Sequence, residues 1–259
     1  MTKIFVCSRF THYDDFLFEH FMKYYLKLGV YKFLINFNYK FDKDKENFEL
    51  FLENVKNSPY NNYIIYNIGP NTEKLFETPN IEMLKKLVND NVNLEEDYII
   101  PADSDEFQEF PDTLENIIQM MKENHYSYLN GCTKERISET GEIIMVEKDK
   151  DIFEQFPKFN DSLFVHPKIG IIKAKYFHYT GVGHHHISLN PTATDFEKEE
   201  LSKSKHISTT NHFRWNLQGK IRLENWYKMW LDENFTGWKD IKKCEKMLTV
   251  FNQNLLEYK

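Results

Sequence analysis

Short apolar runs alternate four times with helical patterns between residues 3 and 121, and no other feature of the chain narrows its fold so far. Lys3 to Ser8 reads as a buried strand. Asp14 and Asp15 then open a helix in which Leu17, Phe21, Tyr24, Tyr25 and Leu28 share a face, and Gly29 closes it. Tyr31 to Phe37 is the second strand. Phe48, Phe51, Leu52 and Val55 recur at helical spacing in a segment that ends before Pro59. Asn62 to Ile68 is the third strand. Thr78-Pro79 starts a helix whose face carries Ile81, Leu84, Leu87 and Val88. Tyr98 to Ala102 is the fourth strand, and Asp112-x-x-Glu115 is a capping box for a helix with Leu114, Ile117, Ile118 and Met121. Each crossover is long enough for parallel pairing, so a doubly wound α/β sheet is predicted.

The second half has a different pattern. Tyr126 to Cys132, Glu142 to Val146 and Gly170 to Tyr176 read as strands between polar loops, and Leu223 to Phe251 reads mainly as helix. No repeat or Gly/Ser linker divides the halves, so 1–259 is expected to be one α/β domain with a β-rich extension and a helical tail. Hydrophobic residues make up 41% of the chain, enough for a buried core and too many for a disordered chain. With 33 Lys+Arg against 40 Asp+Glu, the net charge is −7, which argues against a nucleic-acid partner. Arg occurs only at positions 9, 136, 214 and 222, so bidentate phosphate clamps have few candidates. Cys7, Cys132 and Cys244 have neither disulfide-framework nor zinc spacing. No apolar run is long enough to span a membrane, and a soluble, cytoplasmic protein is expected.

Asp103 and Asp105 stand directly after the fourth strand. Ligands of open α/β sheets bind outside the carboxyl ends of the strands, and i, i+2 residues of an extended chain point to one side. Two carboxylates so placed suit a divalent cation that keeps positions open for substrate phosphates; a solvated polar turn is the plainer alternative.

These residues resemble a known family. Asp103-Ser-Asp105-Glu106-Phe107 is similar to the DxDEF-type motif of GT-A glycosyltransferases, especially the family 2-like and family 92-like groups. Upstream, Asp15-Phe-Leu-Phe-Glu-His20 through Tyr24-Tyr25-Leu-Lys-Leu-Gly29-Val30 resembles their helix leading into the second strand. Downstream, Glu135-Arg136-Ile137-Ser138 with Gly141, then Gln155-Phe156-Pro157, Gly183-His184-His185 and His212-Phe213-Arg214-Trp215 resemble later motifs in the same order. The matches run from about position 4 to 226. Departures are Asn36-Phe37-Asn38 where an acidic residue is usual, Pro101 inside the strand before the motif, and Glu135 where Asp is commoner.

The resemblance implies a GT-A (Rossmann-like), mostly parallel central sheet flanked by helices. It divides the domain into a nucleotide-sugar-binding half, 1–125, an acceptor and metal-histidine half, 126–222, and the tail, 223–259. It further implies a metal-dependent transfer of sugar from a nucleotide-diphosphate sugar, UDP-linked, to a hydroxyl acceptor such as a glycan, with inversion. Mn²⁺ (or Mg²⁺) would sit on Asp103, Asp105 and His185, and an imidazole ligand suits Mn²⁺ better. Strand alternation would turn His184 and His186 away from His185. Ser8, Arg9, Asn36 and Asp103 are the candidate nucleotide contacts; Glu135, oriented by Arg136, and Asp161 are candidate catalytic bases. Trp215, Trp226, Trp230 and Trp238 are available to stack on a glycan or to pack the core. The competing functions are a Mn-dependent phosphohydrolase or nuclease, and a glycosyltransferase-like binding module without turnover.

Overall fold

The structure is a computed structural model that describes residues 2–39, 44–69, 78–163, 166–181, 184–189, 193–232 and 238–258, without the side chains of 78–80, 229, 230, 232 and 238–240. The chain forms two compact units, Met1–Thr133 with His166–Thr210, and Lys134–Val165 with Asn211–Lys259. Their boundaries fall inside two strands.

The predicted alternation forms the first unit as β1 (Ile4–Phe10), α1 (Asp15–Leu28), β2 (Lys32–Phe37), α2 (Lys45–Asn57), β3 (Ile64–Ile68), α3 (Thr78–Asn91) and β4 (Tyr98–Pro101). β5 (Glu106–Glu109) and α4 (Leu114–Glu123) follow. β6 (Tyr128–Ile137) runs on into the second unit, where α5 (Ile152–Gln155) and β7 (Lys158–Phe159) lie. β8 (Pro167–Lys173) and α6 (Asp195–Ser202) return to the first unit, and β9 (Ser204–His212) leads back to the second, which ends with α7 (Leu217–Asp232) and α8 (Trp238–Phe251).

The sheet order is β3-β2-β1-β4-β8-β6-β9-β5. β1 is parallel to both β2 and β4, and β2 to β3, while β8 is antiparallel to β4 and β6. This is the expected α/β class: a parallel central sheet flanked by helices and continued by antiparallel strands. The chain fills one side of β1 with β2 and β3 and then crosses to the other with β4. That reversal makes the carboxyl ends of β1 and β4 a topological switch point. Pro101 is tolerated there for a geometric reason. The next amide, Ala102 N–H, donates to Cys7 O at 3.1 Å, so the Pro101 nitrogen faces the side where pairing with β8 has already ended at Ile99.

Both faces of the parallel sheet are covered. Phe10 and Phe37 pack on Phe18, Phe21 and Phe51 of α1 and α2. Phe5, Cys7, Leu34 and Ile99 pack with Leu84, Leu87 and Val88 of α3. Gly29 ends α1 at φ +98, where an L side chain is strained. Three local expectations differ. Thr113, not Asp112, caps α4, its side chain accepting from Asn116 N–H. Glu142–Val146 is not a strand: Ile144 O and Val146 N–H bond Leu217 and Gln218 at the start of α7 instead of a ladder partner. β8 starts earlier than expected, at Pro167, and turns into a 3₁₀ segment at Ala174. The three cysteines are free, as expected.

Tyr25 ties α1 to the chain just after the acidic motif. Its hydroxyl donates to Glu106 O and accepts from Gln108 N–H, both at 3.0 Å, with the ring fully buried. Tyr25→Phe leaves two buried backbone groups without this partner and is expected to cost about 1–3 kcal/mol, read by urea unfolding. A loss under a few tenths would show that β5 does not depend on this bond.

Candidate functional site

At the carboxyl end of β4 the chain turns through Ala102-Asp103-Ser104-Asp105 into β5. The turn is closed by its own third acid, Glu106. Glu106 N–H donates to Asp103 O at 3.0 Å, and Asp103 N–H donates to Glu106 Oε2 at 3.0 Å. Glu106 Oε1 receives Lys168 Nζ at 2.7 Å, and the same ammonium reaches Asp103 Oδ2 at 3.3 Å. The Lys168 side chain is 0% exposed, that of Glu106 3%, and that of Asp103 40%. The motif is therefore a buried ion-pair frame that presents one half-exposed carboxylate, Asp103, at the switch point.

The local field follows from these positions. Desolvation would raise the Asp103 pKa, but Lys168, then His184 and Arg9, outweigh it and hold the carboxyl well below the usual range. Burial would strip the proton from Lys168, but Asp103 and Glu106 hold it, so the group stays charged. Burial pushes the His184 imidazole down to about 3, leaving it neutral at ordinary pH.

The histidine run is not a strand. Thr180 bridges Ile187, Gly181 N–H donates to His186 O, and His184 N–H returns to Gly181 O, so the run lies in a closed turn. Alternation therefore does not govern it: His184 and His185 both lie within the field of Asp103 and Lys168. Val182 and Gly183, the start of the Gly-x-His motif, lie outside the described residues. His185 Nδ1–H donates to Pro167 O at 2.9 Å, which leaves Nε2 as the lone-pair nitrogen. A ring nitrogen fixed on a carbonyl with its partner available is the arrangement metal-bound histidines use. Among the described residues no three His, Cys, Asp or Glu side chains form a group that could hold a metal by themselves. A cation on Asp103, Asp105 and His185 would need water or phosphate oxygens to complete its shell.

Ser8, Arg9 and Asn36 lie at the carboxyl ends of β1 and β2, with Arg9 and Asn36 as register partners. Ser8 Oγ, Asn38 Oδ1, Asp44 Oδ2 and His12 Nδ1 are all buried without a hydrogen-bond partner among the described residues. Buried polar atoms are nearly always satisfied by protein, water or ligand, so these atoms at the strand ends are candidate ligand contacts. His12 and Asp44 were not singled out by sequence, whereas Asn38 belongs to the Asn36-Phe37-Asn38 departure.

Glu135 and Asp161 belong to the second unit. Glu135 is fully buried; His212 Nδ1–H donates to its Oε1 at 2.8 Å, and Arg214 Nη2 donates to His212 Nε2 at 3.2 Å. Glu135 Oε2 has no hydrogen-bond partner among the described residues. Arg136 does not orient Glu135 directly: it donates to Asn211 Oδ1 at 2.7 Å from the other side of the strand. Asp161 is exposed in the turn after β7. Trp215 is fully buried against Phe251 and is a core residue of its unit, while Arg222 covers the Trp226 ring at 5.2 Å. The side chains of Trp230 and Trp238 lie outside the described residues.

No family model and no curated protein matches the chain. Solved structures similar to it include Staphylococcus aureus TarS 1-349, at 11% identity over 96% of this chain and 70% of that one, TM-score 0.41. Others are apo-UDP-glucose pyrophosphorylase, at 12% identity over 88% and 99% (TM-score 0.36), and HddC from Yersinia pseudotuberculosis, at 12% over 86% and 97% (TM-score 0.37). Similarity at this level identifies no shared chemistry, and the functional reading rests on this chain's own residues.

Removing His212 would strand the Glu135 carboxylate in the core of its unit. His212→Phe is expected to cost about 1–3 kcal/mol, much of it recovered by Glu135→Leu in the same background, because the double variant leaves no buried acceptor without its donor. Urea unfolding of both variants reads the coupling; strictly additive losses would show that the two side chains act independently.

Proposed function

We propose that the protein is a metal-dependent glycosyltransferase that moves a sugar from a nucleotide-diphosphate sugar, UDP-linked, to a hydroxyl acceptor, a glycan, with inversion. The observation that supports this most is the Asp103 carboxylate, held ionised at the switch point of a parallel sheet beside Arg9, Asp105, His184 and His185. A diphosphate requires positive charge there, and Arg9 and Lys168 are the cations near Asp103 that its field records. Asp103, Asp105 and His185 are the residues that would hold a divalent cation, preferably Mn²⁺. What it supplies when bound is charge stabilisation of the leaving diphosphate. Ser8, Asn36 and Asn38 would bond the base or ribose, and Arg9 the phosphates.

In the transfer, the anomeric carbon–oxygen bond breaks with its electron pair going to the diphosphate. The acceptor oxygen bonds to that carbon, and its proton passes to a carboxylate. Glu135 and Asp161 remain the two candidate bases.

Titration calorimetry with UDP, GDP and their sugar conjugates, with and without Mn²⁺, tests this reading. Metal-dependent binding and slow sugar-nucleotide hydrolysis are expected, and Asp103→Asn should weaken binding about 30-fold or more. Absence of nucleotide binding, or metal-dependent cleavage of DNA or simple phosphate esters, would contradict it.

A further inference from the structure

Lys168 carries an assignment that the acidic motif by itself does not suggest. It stands at the second position of β8, and its ammonium lies between the first and last acids of the motif, nearer to Glu106 (2.7 Å) than to Asp103 (3.3 Å). The residue before it, Pro167, offers the carbonyl that fixes His185. One short piece of strand thus holds both the acidic turn and the imidazole that the proposed metal site needs. The geometry points to Lys168 as a tethered internal cation that occupies Asp103 when no metal is bound, withdraws onto Glu106 when a divalent cation takes Asp103, and so sets the metal affinity of the site. This inference rests on the proposed metal site and concerns how that site is regulated.

The two contacts have unequal strength in a way that suits such a handover. The Glu106 pair is short and almost fully buried, so it anchors the lysine. The Asp103 pair is longer and its carboxylate half-exposed, so it is the one solvent and ions can compete for. Glu106 also accepts from Asp103 N–H, so the turn keeps its shape while the ammonium shifts. Among the described residues, Asp103, Asp105 and Glu106 face the positive charges of Lys168 and Arg9, a net charge of −1 for these five groups where the same groups without the lysine would have −2. A doubly charged cation is therefore held more weakly than the same carboxylates would hold it without the lysine.

Mn²⁺ binding to the metal-free protein, followed by electron paramagnetic resonance with no nucleotide present, tests this. Lys168→Met should bind Mn²⁺ about tenfold or more tightly than wild type, whereas Lys168→Arg, which keeps the charge, should not gain affinity. Because Lys168→Met leaves Glu106 buried without its partner, the double variant Lys168→Met/Glu106→Gln provides a second reading and should also bind more tightly than wild type. A lysine with only a structural role would give the opposite sign, with Mn²⁺ affinity falling as the turn loosens. Unchanged or weaker binding in both Met variants, with wild-type circular dichroism, overturns the inference and leaves the metal site standing. Absence of Mn²⁺ binding in wild type and in every variant overturns the metal site together with the inference.

Discussion

Moving an ammonium group out of water costs several kcal/mol even after the protein has relaxed around it. A lysine whose side chain is 0% exposed must therefore be met by charges already placed to receive it. Lys168 is met by Glu106 and Asp103, and meeting it organises the whole carboxyl end of the sheet. β8 brings Lys168 among these acids, and the ammonium offsets their mutual repulsion. Glu106 divides its two oxygens between the ammonium and the Asp103 amide. Tyr25 of α1 then secures the strand that follows. The outcome is a rigid turn in which Asp103 remains partly open to solvent.

Position in the fold turns that arrangement into a candidate site. The order β3-β2-β1-β4 puts the end of β1, with Ser8 and Arg9, next to the acidic turn after β4. Carboxylate, guanidinium and neutral imidazole share one field there, as the depression of both Asp103 and His184 records. Around the end of β1 a second group of buried polar atoms, on Ser8, His12, Asn38 and Asp44, has no hydrogen-bond partner among the described residues. A nucleoside with a charged tail has that distribution of needs: many weak polar contacts at one end and strong charge at the other. The second unit has its own buried relay from Arg214 through His212 to Glu135, in which the imidazole must be neutral because it accepts at Nε2 and donates at Nδ1.

What could be read from sequence divides by how local the physics is. The α/β alternation and the faces of α1, α2 and α3 depend on periodicity within a dozen residues, so they were legible, as was the strand end that carries Asp103 and Asp105. β9 was not: Ser204–His212 is polar, and its buried Thr210 and Asn211 are satisfied by bonds to side chains distant in sequence. The histidine run was read by strand alternation, but a hydrogen-bonded turn sets its directions. Lys168 left no local trace, because its partner Asp103 is 65 residues away and one lysine among many looks like solvated surface. With arginine scarce, the buried cation beside Asp103 and Glu106 is a lysine.

The most direct test of the account is a crystal structure of the protein with Mn²⁺ and UDP bound, using the anomalous signal of manganese to locate the metal. The predicted result is a diphosphate at the ends of β1 and β4, with the manganese peak in contact with Asp103 and Lys168 still bonded to Glu106. A nucleotide bound away from this switch point, or a manganese peak on other side chains with Asp103 still paired to Lys168, would contradict it.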